Sequence, residues 1–155
     1  MPDALVVDRP RSRPASYGCS SGPRRPSWCY GTPGIARAVQ MAGIATGDHA
    51  RQGRAEDALS RCLADPAQLG RLTDPAVCHG WAGLVATVWH AAADARSHTL
   101  ADQMPNLLEA LLDRILIDSP ANARPGLVEG SAGIAATLHS LLTGVHGWQT
   151  CLLIA

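Results

Sequence analysis

Cys78-His79-Gly80-Trp81-Ala82-Gly83-Leu84-Val85 is the middle copy of a phrase that occurs three times in this 155-residue chain. Cys29-Tyr30-Gly31-Thr32-Pro33-Gly34-Ile35-Ala36 precedes it, and Val128-Glu129-Gly130-Ser131-Ala132-Gly133-Ile134-Ala135 follows. The first glycines, at 31, 80 and 130, are 49 and 50 residues apart, and a period of that length marks stacked supersecondary units. Apolar, helix-favouring residues come after each Gly-x-x-Gly: Ile35 to Ala45, Leu84 to Ala95 and Ile134 to Leu142. Such stretches, apolar on nearly all sides, predict inner helices packed closely on their neighbours.

Between them lie more polar helical segments. One runs from about Ala55 to Ala64, with Glu56, Asp57 and Arg61 on its solvent side. The other runs from about Thr99 to Ile117, where Leu100, Met104, Leu107, Leu108, Leu111, Leu112 and Ile115 follow helical spacing. Pro66, Pro75, Pro105, Pro120 and Pro125 fall at boundaries or first turns. The sequence therefore predicts an all-α array of helical hairpins, each with one inner and one outer helix.

The hydrophobic fraction of 46% suffices for a core. Residues 1–28 differ, with five arginines, five serines and several prolines and glycines. Such a composition cannot offset its ordering entropy by burial. Two units are expected: a flexible basic arm over 1–23 and a helical domain over 24–155. The arm lacks the aromatic pattern of a nucleic-acid binder, so it reads as a solvated tail with no nucleic-acid partner. Net charge is zero, and all 13 cationic residues are arginine, which reads as a codon bias rather than a mechanism. No apolar run reaches the ~20 residues of a membrane span, and no signal peptide is evident, so a soluble, cytoplasmic protein is expected.

Five cysteines, an odd number, argue against a disulfide framework and towards metal or catalytic thiols. Cys29 and Cys78 occupy equivalent places in the phrase. Cys62 and Cys151 read as buried structural thiols and Cys19 as an exposed one. If the hairpins surround a common axis, Cys29 and Cys78 meet at one end of neighbouring inner helices, with His79 beside them. Two thiolates and an imidazole make a zinc set with its fourth position open. Zinc rich in thiolate suits holding a substrate thiol as its anion. The same residues also fit a second reading, two small buried thiols beside glycine turns and a core histidine. His90 and His139 read as partner-bonded or exposed helix residues, and His49, His98 and His146 as loop or helix-boundary residues. Ser-His-Asp, phosphate-loop and paired-carboxylate motifs are lacking.

The segments Ser27 to Gly34, Cys78 to Gly83, Glu129 to Gly133 and Gly147-Trp148-Gln149-Thr150-Cys151-Leu152-Leu153 together resemble the lanthionine synthetase C (LanC-like) family, over about residues 24 to 155. That resemblance implies an α/α toroid of seven inner and seven outer helices, of which this chain supplies about three hairpins from the C-terminal portion. It implies zinc held by Cys29, Cys78 and His79, with Arg25 near the metal and Tyr30 as a neighbouring aromatic residue, both expected to be catalytic. The implied reaction adds cysteine thiols of a precursor peptide to dehydroalanine or dehydrobutyrine, made by a separate dehydratase, to form thioether rings. Trp28-Cys29-Tyr30-Gly31 is similar to the stand-alone cyclases.

The upstream segments that carry the family's catalytic histidine and an aspartate are not matched here. An incomplete ring would leave inner apolar faces exposed and the chain poorly stable. Two alternatives follow: a non-catalytic or split-protein remnant that binds zinc and peptide and needs a complementing N-terminal fragment, or a glutathione-type thiol transferase of the same superfamily.

Overall fold

The computed structural model describes residues 25–118 and 124–155; the arm over 1–23, with Cys19, and Pro120 lie outside them. Helices α1 (Thr32–Thr46), α2 (His49–Leu63), α3 (Pro66–Leu69), α4 (Trp81–Asp94), α5 (Met104–Asp118) and α6 (Ser131–Thr143) follow in order. Short 3₁₀ turns at Ala101–Gln103 and Trp148–Leu152 complete the description. No strand occurs among the described residues, and none of their helices is long and apolar enough to cross a membrane.

Local chemistry sets most boundaries. Pro33 lies in the first turn of α1, and Gly47 ends that helix in the left-handed conformation, at φ 68°. One residue on, Asp48 caps α2 by accepting from Arg51 N at 2.9 Å. The link is therefore two residues long and folds α2 back on α1. Gly43 makes that approach possible, because a Cβ there would come within 2.8 Å of Gln52 N. Asp65 caps α3 from Ala67 N at 2.9 Å, a short helix the sequence reading passed over because Pro66 stood only for a boundary. The sequence also started α2 too late, at Ala55.

Helix α4 lies between α1 and α6 and carries α5 on its outer side. Leu84, Val85, Ala86 and Val88 are wholly buried, and burial of each leucine or valine contributes about 1.5–3 kcal/mol. The inner layer is thus α1, α4 and α6, and the outer layer α2 and α5: two complete hairpins and the inner helix of a third. Among the described residues, α4 is the inner helix enclosed over most of its length, from Ala82 to Ala91. With one inner neighbour each among the described residues, α1 and α6 leave Ile35 (64%), Val39, Ile44 and Leu142 (86%) exposed.

Three sequence expectations need correction. Glu56 is not on the solvent side of α2; it is buried. Its Oε1 accepts from Gln40 Nε2 at 3.0 Å and Gln52 Nε2 at 2.9 Å, and its Oε2 from Arg96 N at 3.3 Å. Gln40 also accepts from buried Arg37 at 2.7 Å and donates to Ala91 O at 2.9 Å, while Arg37 pairs with Asp94 at 2.7 Å. These groups join α1, α2 and α4. His90, though buried, is not partner-bonded: its Nε2 has no hydrogen bond among the described residues, and its ring lies 4.9 Å from Trp89 and 5.6 Å from His146. Burial, with the charge of Arg37 and then of His146, pushes its pKa down to about 4. Cys151 is exposed rather than buried, because the 3₁₀ turn directs Gln149 inward and Cys151 outward. Cys62 is buried as expected.

Replacing Glu56 by Ala would leave Arg96 N and one N–H each of Gln40 and Gln52 without an acceptor, their other N–H groups still meeting Ala91 O and Asp94 O. The expected outcome is a loss of about 3 kcal/mol in a urea titration of the full chain.

Candidate metal centre

Each repeat phrase forms the same turn. A Cβ on Gly83 would collide with the Val77 carbonyl oxygen, and one on Gly34 with that of Trp28; Gly133 stands in the same relation to Leu127. In every case the carbonyl belongs to the residue six positions earlier. Only glycine admits this approach, which folds the turn down on the start of the inner helix. The residue right after that carbonyl is Cys29, Cys78 or Val128.

Because α1 and α4 are neighbours, their two cysteines come together. The sulfurs of Cys29 and Cys78 and a ring nitrogen of His79 lie within 4.8 Å of one another, the one such donor group of three among the described residues. Cys29 Sγ is 2.9 Å from His79 Nδ1. All three side chains are half-buried. Tetrahedral zinc, with bonds of about 2.3 Å to sulfur and 2.0–2.1 Å to nitrogen, sets its donors roughly 3.5 Å apart. The set therefore fits zinc in kind, number and spacing, with small side-chain shifts. The third repeat contributes no donor at Val128, whose carbonyl instead accepts from Cys78 N at 2.8 Å.

Burial, followed by the hydrogen bond and charge of Cys29 and the charge of Glu129, pushes the Cys78 thiol up to about 11; the charge of Arg25 acts the other way. A cation is what would allow Cys78 to lose its proton. Arg25, exposed on the first turn, thus reaches the site electrostatically, and its carbonyl accepts from Ser27 N at 2.9 Å. Tyr30 is 78% exposed beside Cys29, and its backbone N–H donates to Ser27 Oγ at 3.4 Å.

Cavities flank the donors. One of about 460 Å³ is lined by Asp74, Cys78, His79, Asp118, Arg124 and Glu129. Another, of about 360 Å³, has Trp28, Cys29, Ile35, Leu152 and Leu153 on its walls. The sequence reading missed Ser27, whose Oγ is 3.8 Å from Cys29 Sγ. It also missed Asp74, whose Oδ1 accepts from Ala76 N at 2.9 Å and whose carbonyl accepts from Trp81 N at 3.1 Å. The dipeptide Asp74-Pro75 is a turn signal that would have found the latter.

A row of helices that places two thiols and an imidazole at one end of neighbouring inner helices defines a protein of layered helical hairpins with a metal-type donor set. The solved structure of nisin cyclase matches 86% of the chain with a TM-score of 0.73 and 21% identity, and this chain spans 33% of that one. The shared fold is thus part of a helical toroid. No curated relative matches the chain. The family of lanthionine synthetase C-like proteins matches residues 9–153, and the chain belongs to it.

A raised thiol pKa means that Cys78 keeps its proton to higher pH than an ordinary cysteine. In the metal-free chain, iodoacetamide should label Cys78 slowly at pH 8, with the rate climbing until about pH 11. Peptide mapping by mass spectrometry across that range checks it.

Proposed function

We propose that the chain is the zinc-binding part of a lanthipeptide cyclase, which joins peptide cysteine thiols to dehydroalanine or dehydrobutyrine as thioether rings. The observation that carries this reading is the Cys29, Cys78 and His79 donor set in a lanthionine synthetase C-like chain. The two thiols and His79 Nδ1 would hold the metal and leave one position for substrate. A zinc ion there would lower the pKa of the peptide's thiol, so that it is deprotonated at neutral pH and still nucleophilic.

The chain's own groups act around that thiolate. As the sulfur bonds to the β-carbon of the dehydro residue, the electrons of the carbon–carbon double bond pass to the carbonyl oxygen as an enolate. The α-carbon then takes a proton from water in place of the one the thiol gave up. Arg25, whose charge already acts on Cys78, offsets the enolate's charge. Tyr30, exposed one residue from Cys29, borders the peptide's path. The substrate is a dehydrated precursor peptide, which a dehydratase must supply. Free thiols as ligands suit the reducing cytoplasm.

A second reading draws on the exposed apolar residues of α1, with Leu116 (80%) on α5 and Leu142 on α6. Here the chain binds zinc and peptide but needs a complementing fragment whose helices cover those faces. A glutathione-type transferase would differ in substrate alone.

The purified chain should bind one zinc per molecule, measured by metal analysis after dialysis, and Cys78→Ala should reduce this to background. Unchanged zinc in that variant would refute the site. Incubation with a dehydrated cysteine peptide, or with glutathione and a dehydroalanine peptide, then separates the readings. Loss of free thiol without mass change marks ring closure, a mass gain of one glutathione marks transfer, and zinc binding with neither marks the complementing fragment. Zinc affinity should also rise with pH below 11, about tenfold per unit for each proton displaced, because Cys78 must surrender its proton to the metal.

A further inference from the structure

The two thiol-bearing turns are held in different ways. The Cys78 turn is tied to the following repeat by the bond from Cys78 N to Val128 O at 2.8 Å. One repeat earlier, no backbone hydrogen bond joins the Cys29 turn to the Cys78 turn among the described residues. Apart from the contact between the donors Cys29 and His79 themselves, the Cys29 turn is held from outside by Trp28, whose indole N–H donates to Leu152 O at 3.1 Å across 124 residues of sequence.

Leu152 belongs to a segment that is itself firmly seated. Arg37 Nε donates to Ile154 O at 2.7 Å. Trp148 Nε1 and Gln149 Nε2 both donate to Ser140 Oγ, at 3.0 and 3.1 Å. Gln149 and Ile154 are wholly buried. Between them Leu153 has φ 55°, the sole positive value at a non-glycine among the described residues. A leucine persists there when its surroundings over-determine it, and such strain gathers at functional sites. Leu152 and Leu153 also share a cavity wall with Trp28 and Cys29.

We propose that residues 148–154 are a strut that positions Cys29 against the Cys78–His79 turn, with Trp28 as the positioning residue that transmits it. The inference rests on the zinc site proposed above. The strut keeps one donor in place before the metal arrives, so that binding does not have to order the Cys29 turn. Coupling of this kind is reciprocal: if the strut favours zinc, zinc must stabilise the strut.

Hydrogen exchange on the full chain, with and without zinc, reads this directly. Zinc should slow the amides of Leu153 and Ile154, which donate to Thr150 O and Gln149 O, severalfold along with those of the two turns. Protection at residues 27–31 and 76–80 with none at 148–154 would overturn the strut while leaving the metal site intact. Trp28→Phe keeps an aromatic ring and removes the indole N–H. It should weaken zinc about 10- to 100-fold in competition with a chromophoric chelator, and alter the thiolate-to-cobalt absorption of the cobalt-loaded chain, with helix content unchanged. Unaltered affinity in that variant refutes the proposal. Should the variant not fold, the exchange experiment on the unsubstituted chain decides alone. If that chain binds no zinc, the site fails and the strut with it.

Discussion

The carbonyl oxygen of Val77 occupies the space a side chain on Gly83 would need, and Trp28 meets Gly34 in the same way. This close approach presses each turn on the first residues of its inner helix, so the residue after the carbonyl emerges at a fixed height. Packing of α1 beside α4 then converts equal heights into proximity. The meeting of Cys29, Cys78 and His79 is therefore a product of backbone packing, settled before any metal chemistry enters. A larger residue at either glycine would lift its turn and carry the thiol away with it.

Much of this was legible in the sequence because it is local. The glycine spacing and the apolar runs after it act within a few residues. The equal spacing of the copies put the two cysteines at equivalent places, and a single assumption about a common axis brought them together. What escaped notice depends on distant partners. Glu56 reads as a solvent residue because a lone buried carboxylate is costly. Its partner Gln40 is on another helix, and Arg96 lies 40 residues on. The Trp28–Leu152 bond likewise has no local signature. Cys151 reads as buried because it stands in a terminal apolar run with Leu152, Leu153 and Ile154, whereas the 3₁₀ turn there buries Gln149 instead.

The donor set also explains why one repeat can lack ligands at no cost to the turn. Val128 and Glu129 replace the cysteine and histidine of the second copy, yet Gly133 still packs under the Leu127 carbonyl, and Val128 O still receives the amide of Cys78. The third turn supports the second one's backbone, and its side chains are free to line the neighbouring cavity, as Glu129 does.

The polar joint of Arg37, Gln40, Gln52 and Glu56 bears on a problem peculiar to arrays of similar helices. Small apolar surfaces recur from one repeat to the next, and apolar attraction, being non-directional, discriminates poorly between a right and a wrong neighbour. The joint does discriminate. Gln40 must find Ala91 O, and Arg37 must find Asp94. A helix docked one turn out of register would bury a guanidinium or a carboxylate without its partner, a cost of several kcal/mol. A few directional bonds towards the far end of α4 thus act as an address, deciding which hairpin stands beside which, and so which two thiols are allowed to meet.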